Sequence, residues 1–268
     1  MLLRRFMQHI KDQNWFAVGL DIIVVIVGIF LGMQVQQWYE ERTLANQEIS
    51  YLEALQEDLK RLDAVFDRKI AFEDNRAMLS SHTYGLLEEE DFLKNKNNIV
   101  AGMIGLTDRR TASFTSPVYT DLLSSGKLIL INNESLRKEI IAYFSELEFY
   151  QRVLEKNSKQ FIDDSFHVFV YKHLRFHNFH ELIPPDLVQG NDTSTLERQK
   201  KLLQSNILNF KEQLPDITSD DPLWDEFKRE LSWRALVSVI DGEFVAGIKE
   251  NGISLSNKIN DYLTSIQQ

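Results

Sequence analysis

The residues best suited to chemistry in this chain are four of its six histidines, His167, His173, His177 and His180. The last three are spaced i, i+4 and i+7, which would place them on one side of a helix. Neutral imidazoles so placed can share a metal ion, and histidine can also sense pH near neutrality. The alternative is a Phe-rich helix end packed for structure just before Pro184. We expect that structural role, with no metal or other cofactor.

Acidic residues form two further clusters, whose pattern is typical of solvated surface. The run from Glu88 to Asp91 and the pair at 163–164 offer carboxylates with no accompanying base or nucleophile. No Gly-rich phosphate loop, Gly-x-Ser-x-Gly elbow or complete His-Glu-x-x-His motif occurs. Cysteine is absent, which excludes disulfides, thiolate metal ligands and cysteine nucleophiles. The sequence therefore predicts a protein that is not an enzyme.

Composition narrows the class of fold and of partner. The 268 residues include 30 Lys and Arg against 40 Asp and Glu, a net charge of −10, which disfavours nucleic acid as a partner. Only 11 glycines and 5 prolines are present, which is too few for a large sandwich, barrel or propeller. These numbers favour an all-α protein.

The first structural element that the sequence predicts is an apolar segment near the N-terminus. Residues 15–33 read WFAVGLDIIVVIVGIFLGM, with Asp21 as the single charge. Nineteen residues cover a bilayer core of roughly 30 Å as a helix, and Trp15 and Trp38 flank it at the separation of the two interfaces. No small-x-small cleavage site follows. We therefore predict an uncleaved transmembrane anchor over residues 15–35, rather than a signal peptide or a buried core helix.

Flanking charge predicts the orientation of this anchor. Arg4, Arg5 and Lys11 precede it, whereas Arg42 is the only basic residue in the twenty positions that follow residue 33. The positive-inside rule then places residues 1–14 in the cytoplasm, as a basic tail. The rest of the chain, residues 36–268, is expected in the periplasm, on a single-pass protein of the bacterial inner membrane.

One face of the anchor is suited to contact another helix. Asp21, Val25, Gly28 and Gly32 share a single stripe, and the two glycines form Gly-x-x-x-Gly, which allows close backbone approach. A carboxyl group in hydrocarbon favours a position facing another helix or water. The stripe therefore predicts a homo-oligomer formed through the anchor. The alternative is a chance glycine pair with a hydrated Asp21.

The exported part reads as helices. Apolar residues continue at alternating spacings of three and four, which predicts a long stalk helix over about residues 36–88. This spacing fits packing within the protein's own bundle or a short coiled coil. The seam residues are Leu52, Leu55, Leu59, Leu62 and Phe66.

Capping signals and breaks divide the remainder. Ser116-Pro117 predicts a helix start, Leu128 to Ile131 an extended run, and Asn132 or Asn133 the cap of a long helix. We expect a break near 183–195 and a last helix over about 222–266. Gly242, Gly247 and Gly252 are positions where this helix could kink, so its continuity is left open. The predicted fold is an antiparallel helical bundle on a membrane-rooted stalk.

The stretch GLDIIVVIVGIFLGMQVQQWYEER resembles the N-terminus of a family of bacterial single-pass membrane proteins of unknown function. That family shows an acidic residue opening an apolar run, then Leu-Gln-x-Asn-Asn-Trp-Asn-Glu-x-Arg. The matching residues here are Asp21, Gln34, Trp38, Glu41 and Arg42, whereas Gln36, Gln37 and Tyr39 depart from the pattern. A second stretch, YTDLLSSGKLILINNESLRKEIIAYF, resembles the family's middle section. The resemblance implies the anchor and the architecture, and no activity.

Two functions remain open at this point. The first is a membrane-anchored interaction or scaffold protein of the bacterial envelope, with the lipid bilayer, a second copy and an unknown protein as partners. The second is a periplasmic sensory module for a small molecule or metal. Because the cytoplasmic tail is only about 14 residues long by the span argument, a sensory module would have to act through a partner.

Overall fold

The computed structural model describes residues 15–174 and 217–267, and every regular element in that part of the chain is helical. The elements are α1 (Trp15–Leu87), a 3-10 turn (Phe92–Asn95), α2 (Lys96–Gly105), α3 (Pro117–Ser124), a second 3-10 turn (Lys127–Leu130), α4 (Glu134–Asn157), a π-helical segment (Ser158–Phe166), α5 (His167–His173) and α6 (Leu223–Ile266). The predicted all-α fold, with a long first helix leading into a bundle, is confirmed.

Helix α1 is 73 residues long and has two environments. Its N-terminal part is apolar, and none of the residues described there is buried: residues 22–47 are exposed, and Gly19 and Asp21 are partly exposed. From Glu48 onward, one side of the same helix is buried against the rest of the chain. Because no proline interrupts residues 15–87, the two parts form one continuous rod.

Helix α6 runs antiparallel to α1 along the whole buried side. The Tyr262 hydroxyl donates to the Glu48 carboxylate at 2.9 Å near one end of the pair. The Ser80 hydroxyl donates to the carbonyl oxygen of Leu231 at 2.6 Å near the other end. The two helices therefore form a long hairpin that organises the remaining elements.

Helix α4 completes the bundle by packing on α6. Lys258 donates to Glu139 at 2.6 Å, and Asn157 donates to Asp241 at 2.7 Å, so α4 is antiparallel to α6 and parallel to α1. The short helix α3 packs between α1 and α4 and buries Leu122 completely.

Two apolar clusters fill this bundle, which we call the near and far clusters by their distance along α1 from its exposed apolar part. The near cluster contains the predicted seam of α1 together with side chains of α3, α4 and α6. The far cluster joins the end of α1 to α2, α5 and the start of α6. Its fully buried members include Ile99, Met103, Leu106, Val170, Phe227 and Leu231.

Local caps agree with the sequence at two of the predicted helix starts. The Ser116 side chain accepts a hydrogen bond from the backbone N–H of Tyr119, with Pro117 at the first helical position. Asn133 likewise accepts from the N–H of Leu136 and begins α4. The extended run expected from Leu128 to Ile131 is not formed, because Lys127–Leu130 is a 3-10 turn directly after Gly126, whose φ is +70°, and only Ile131 has extended backbone angles.

Two helices in the second half of the chain are continuous where a break or a kink was conceivable. Helix α4 passes into the π-helical segment without a break, since Asn157 and Ser158 both keep helical backbone angles. Helix α6 is continuous from Leu223 to Ile266, although glycines occur within it. The break predicted near 183–195 lies outside the described residues.

Candidate functional site

The anchor stripe of Asp21, Val25, Gly28 and Gly32 is unobstructed in the single chain. A Cβ atom added at Gly28 or Gly32 would meet no heavy atom within 4 Å, and the Val25 side chain is 51 % exposed. Of the two aromatic flanks, Trp38 is exposed, with the guanidinium of Arg42 lying 5.4 Å from its ring centroid. Trp15 is the first residue of α1.

The stripe lies on the side of α1 opposite the bundle. Val25 precedes Leu52 by 27 residues, Gly28 precedes Leu55 by 27, and Gly32 precedes Leu59 by 27. At 3.6 residues per turn, 27 residues make seven and a half turns, so each stripe residue faces away from its seam counterpart. A second anchor helix can therefore contact the stripe without meeting α6.

Glu48 is a buried carboxylate at the near end of the bundle, and it is fully paired. It accepts hydrogen bonds from the backbone N–H and the side-chain amide of Asn132, both at 2.8 Å, and from Tyr262. Its side chain holds the start of α4 against α1 and α6. These contacts account for its burial by structure alone.

A layer of buried polar side chains separates the near and far clusters, and we call it the polar layer. The Glu73 carboxylate lies at its centre, accepting from Lys69 Nζ at 2.5 Å and from the Ser238 hydroxyl at 2.8 Å. Its members are Lys69, Glu73, Arg76, Asn157, Arg234, Ser238 and Asp241.

Two arginines of the polar layer fix the end of α2. Arg76 Nη1 donates to the carbonyl oxygen of Gly105 at 2.6 Å, and Arg234 Nε donates to that of Leu106 at 3.2 Å. Carbonyl groups at a helix C-terminus lack intrahelical partners, so cations are favourable there. Burial lowers the pKa of both guanidinium groups. The arginines thus cap α2 and tie it to both helices of the hairpin.

Asp241 is the member of the layer whose ionisation is most perturbed. Its side chain is 2 % exposed and accepts a hydrogen bond from the Asn157 amide at 2.7 Å. Burial and, to a smaller extent, the nearby Glu73 charge raise the pKa of Asp241 to about 6, against the opposing effects of the Asn157 hydrogen bond, Lys69 and Arg234. This carboxyl group therefore titrates close to physiological pH.

Sequence reasoning missed the polar layer although its spacing was visible. The alternation of three and four that defines the apolar seam continues without interruption beyond Phe66, but with polar and charged residues. The continuing positions are Lys69, Glu73, Arg76, Ser80, Thr83 and Leu87, and all but Lys69 are buried. Polar residues in unbroken seam register were the signal for a buried polar layer.

The structure describes two of the four clustered histidines. The His167 ring contacts the carbonyl oxygen of Thr107, and the His173 ring lies 4.8 Å from that of Phe169. Helix α5 ends at His173. His177 and His180 lie outside the described residues, so the three-histidine set stays a prediction. Within residues 15–174 and 217–267, no group of three His, Asp or Glu side chains could hold a metal ion.

Comparison with known proteins gives one match. The sequence model of a family of unknown function, DUF6090, matches residues 21–168, from Asp21 in the apolar part of α1 to the start of α5. No curated protein and no solved structure matches the chain. By length and composition, the apolar part of α1 is a candidate membrane span or signal anchor, the only one in the described chain. Since the match covers more than half of the sequence, the chain belongs to this family of unknown function.

Proposed function

We propose that this protein is a single-pass, membrane-anchored interaction or scaffold protein with its helical body in the bacterial periplasm. The observation that carries the proposal is the continuity of α1, whose apolar first part has no buried residue among those described and leads without a break into the bundle. Apolar surface of this extent is unfavourable in water and favourable in a bilayer. No catalytic role is proposed.

Self-association through the anchor is the first interaction we propose. The stripe is open, it lies opposite the bundle, and its glycines allow two backbones to approach closely. The same face of α1 is charged and exposed farther along, since Arg61 and Arg68 follow Val25 and Gly32 by 36 residues, or ten turns. The contact between copies is therefore expected in the anchor and not along the stalk.

A periplasmic sensory module acting through a protein partner is the second candidate. The polar layer supports it, because ionisable groups buried between two apolar clusters are costly and are often retained for a functional reason. A metal-binding form of this candidate would rest on His173, His177 and His180. Loss of bound zinc or nickel after joint replacement of His173 and His177 would support it, whereas we expect no metal to be bound.

The absence of cysteine makes topology directly measurable. Ser50→Cys, at an exposed position of the stalk, is expected to react with a membrane-impermeant maleimide added to intact spheroplasts. A cysteine introduced at Arg5 is expected to react only after lysis. The reverse labelling pattern would contradict the proposed orientation.

The same single-cysteine approach tests the anchor contact in the full chain. Gly28→Cys and Val25→Cys should form disulfide-linked dimers in oxidised membranes, because both positions lie on the stripe. Ile23→Cys and Phe30→Cys lie on the opposite face of α1 and serve as matched controls. Equal crosslinking at all four positions would show random collision, and would remove the support for pairing through the stripe.

A further inference from the structure

Asp241 lies where three elements meet. It projects from α6, receives the side-chain amide of Asn157 from α4, and lies near Glu73 of α1. These contacts fall between the near and far clusters, so water has little access to the carboxyl group. A change in its charge therefore acts on the contact between all three long helices.

Polar groups from each neighbouring helix act on the charge of Asp241. Among the described residues, α1 contributes Lys69 and Glu73, α6 contributes Arg234, and α4 contributes the uncharged amide of Asn157. Arg76 of α1 acts on Arg234. The connection after α2 adds Asp108 and Arg110, whose charges act on Arg76 and, for Asp108, also on Arg234.

Glu73 and Asp241 differ in how well their negative charge is satisfied. Glu73 accepts from Lys69 and Ser238 and lies 3.9 Å from Arg234 Nη1, whereas the hydrogen bond to Asp241 comes from a neutral amide. When both carboxylates are ionised they repel each other, and Asp241 has the weaker compensation from positive charge and hydrogen bonds. Proton uptake at Asp241 is therefore the least costly way to reduce the repulsion between the two carboxylates of the polar layer.

The amide that contacts Asp241 lies at a change of helix type. Asn157 is the last residue of α4, and the nine-residue π-helical segment begins at Ser158. Segments of π-helix are rare and are frequently found at functional sites. The contact therefore links a titratable group on α6 to the place where the α4 helix changes its hydrogen-bond register.

We propose that the junction of Asp241, Asn157 and Glu73 is an acid-responsive latch, in which proton uptake by Asp241 tightens α6 against α1 and α4 and proton loss loosens it. The sign follows from linkage. The pKa of Asp241 in the fold is about 6, above that of an unfolded aspartate, so the folded state binds the proton more tightly. The contribution of this group to stability increases as pH falls through 6 and is complete near pH 4.

Thermal unfolding of the full chain in lipid nanodiscs tests the latch. Between pH 7.5 and pH 5, the wild-type melting temperature should rise by on the order of 5 °C because of this group. Asp241→Asn, which mimics the neutral form, should have the higher melting temperature already at pH 7.5 and lose that rise. Asp261→Asn, at an exposed position of the same helix, is the matched control and should behave as wild type.

A direct titration keeps the test independent of folding defects. The carboxyl signal of Asp241, identified by its loss in Asp241→Asn, should titrate near pH 6 in carbon-13 NMR. Asn157→Ala removes the hydrogen bond that favours the ionised form, so it should move this midpoint to higher pH. A midpoint below pH 5, or a full pH-dependent rise retained in Asp241→Asn, would overturn the proposal.

Discussion

Tyr143 of α4 lies very close to Gly252 of α6. A Cβ atom added at Gly252 would lie 2.6 Å from the Tyr143 hydroxyl oxygen and 3.2 Å from the ring carbon that carries it. The Tyr143 ring is buried and packs edge-on against Phe144 at 5.1 Å, which limits its movement. Burial raises the pKa of Tyr143, so the hydroxyl stays neutral. Glycine at 252 is therefore required for close approach.

Gly252→Ala should destabilise the bundle despite its better helix propensity. Overpacking costs about 1–3 kcal/mol and the propensity gain is at most about 1 kcal/mol, so we expect a net loss of about 1–2 kcal/mol in the free energy of unfolding. Chemical denaturation of the full chain in detergent measures this difference.

Two further variants make this test specific. Tyr143→Phe removes the nearest oxygen, which has no hydrogen-bond partner among the described residues, and should restore most of the stability of Gly252→Ala. Gly247→Ala, where a Cβ atom would meet open space, should stabilise α6 instead. Additive effects of Gly252→Ala and Tyr143→Phe would contradict the packing argument.

At the scale of elements, α2 lies very close to α1 at Gly102. A Cβ atom at Gly102 would lie 2.1 Å from Thr83 Oγ1, and Thr83 is buried with its hydroxyl donating to the carbonyl of Leu79. Together with the arginine cap at Gly105 and Leu106, this contact sets the position of α2 on the hairpin.

Gly102→Ala should release α2 from this position. We expect a loss of about 2–3 kcal/mol and faster hydrogen exchange in residues 96–105, because neither backbone can retreat without breaking the cap. Thr83→Ala in the same chain should recover most of the protection. The matched control is Gly85→Ala, which faces open space on α1. Unchanged exchange in Gly102→Ala would show that α2 is held by other contacts.

The sequence predicted the helices and their caps better than it predicted the buried polar contacts between them. The long first helix and the caps at Ser116 and Asn133 follow from local rules, and the structure agrees. The run from Leu128 to Ile131 was misassigned, since four apolar residues fit a strand or a helical turn equally well. The π-helical segment has no local signature, because its register depends on packing. The polar layer was missed because the seam was judged by apolarity and not by spacing.

At the scale of the whole molecule, helix α1 is part of both the exposed apolar anchor and the helical bundle. Its first part presents the open stripe, and its second part is the scaffold on which α6 and α2 pack. The family match begins in the first part and ends at the start of α5, so it includes both of these structures but not α6. The bundle therefore uses α6, which lies outside the matched region, to cover the buried side of the matched helix.

The anchor stripe and the bundle seam lie on opposite sides of one continuous helix, so a rotation of the anchor part of α1 about its axis is passed to the bundle. The helix is about 110 Å long at 1.5 Å per residue, and its hydrogen bonds resist twisting. The axis of α6 lies roughly 8–10 Å from that of α1, the usual distance for packed helices. A 20° rotation at the stripe would therefore carry α6 through an arc of about 3 Å. Rotation of α1 at the stripe would therefore displace α6 sideways in the bundle, with no change in the length of either helix.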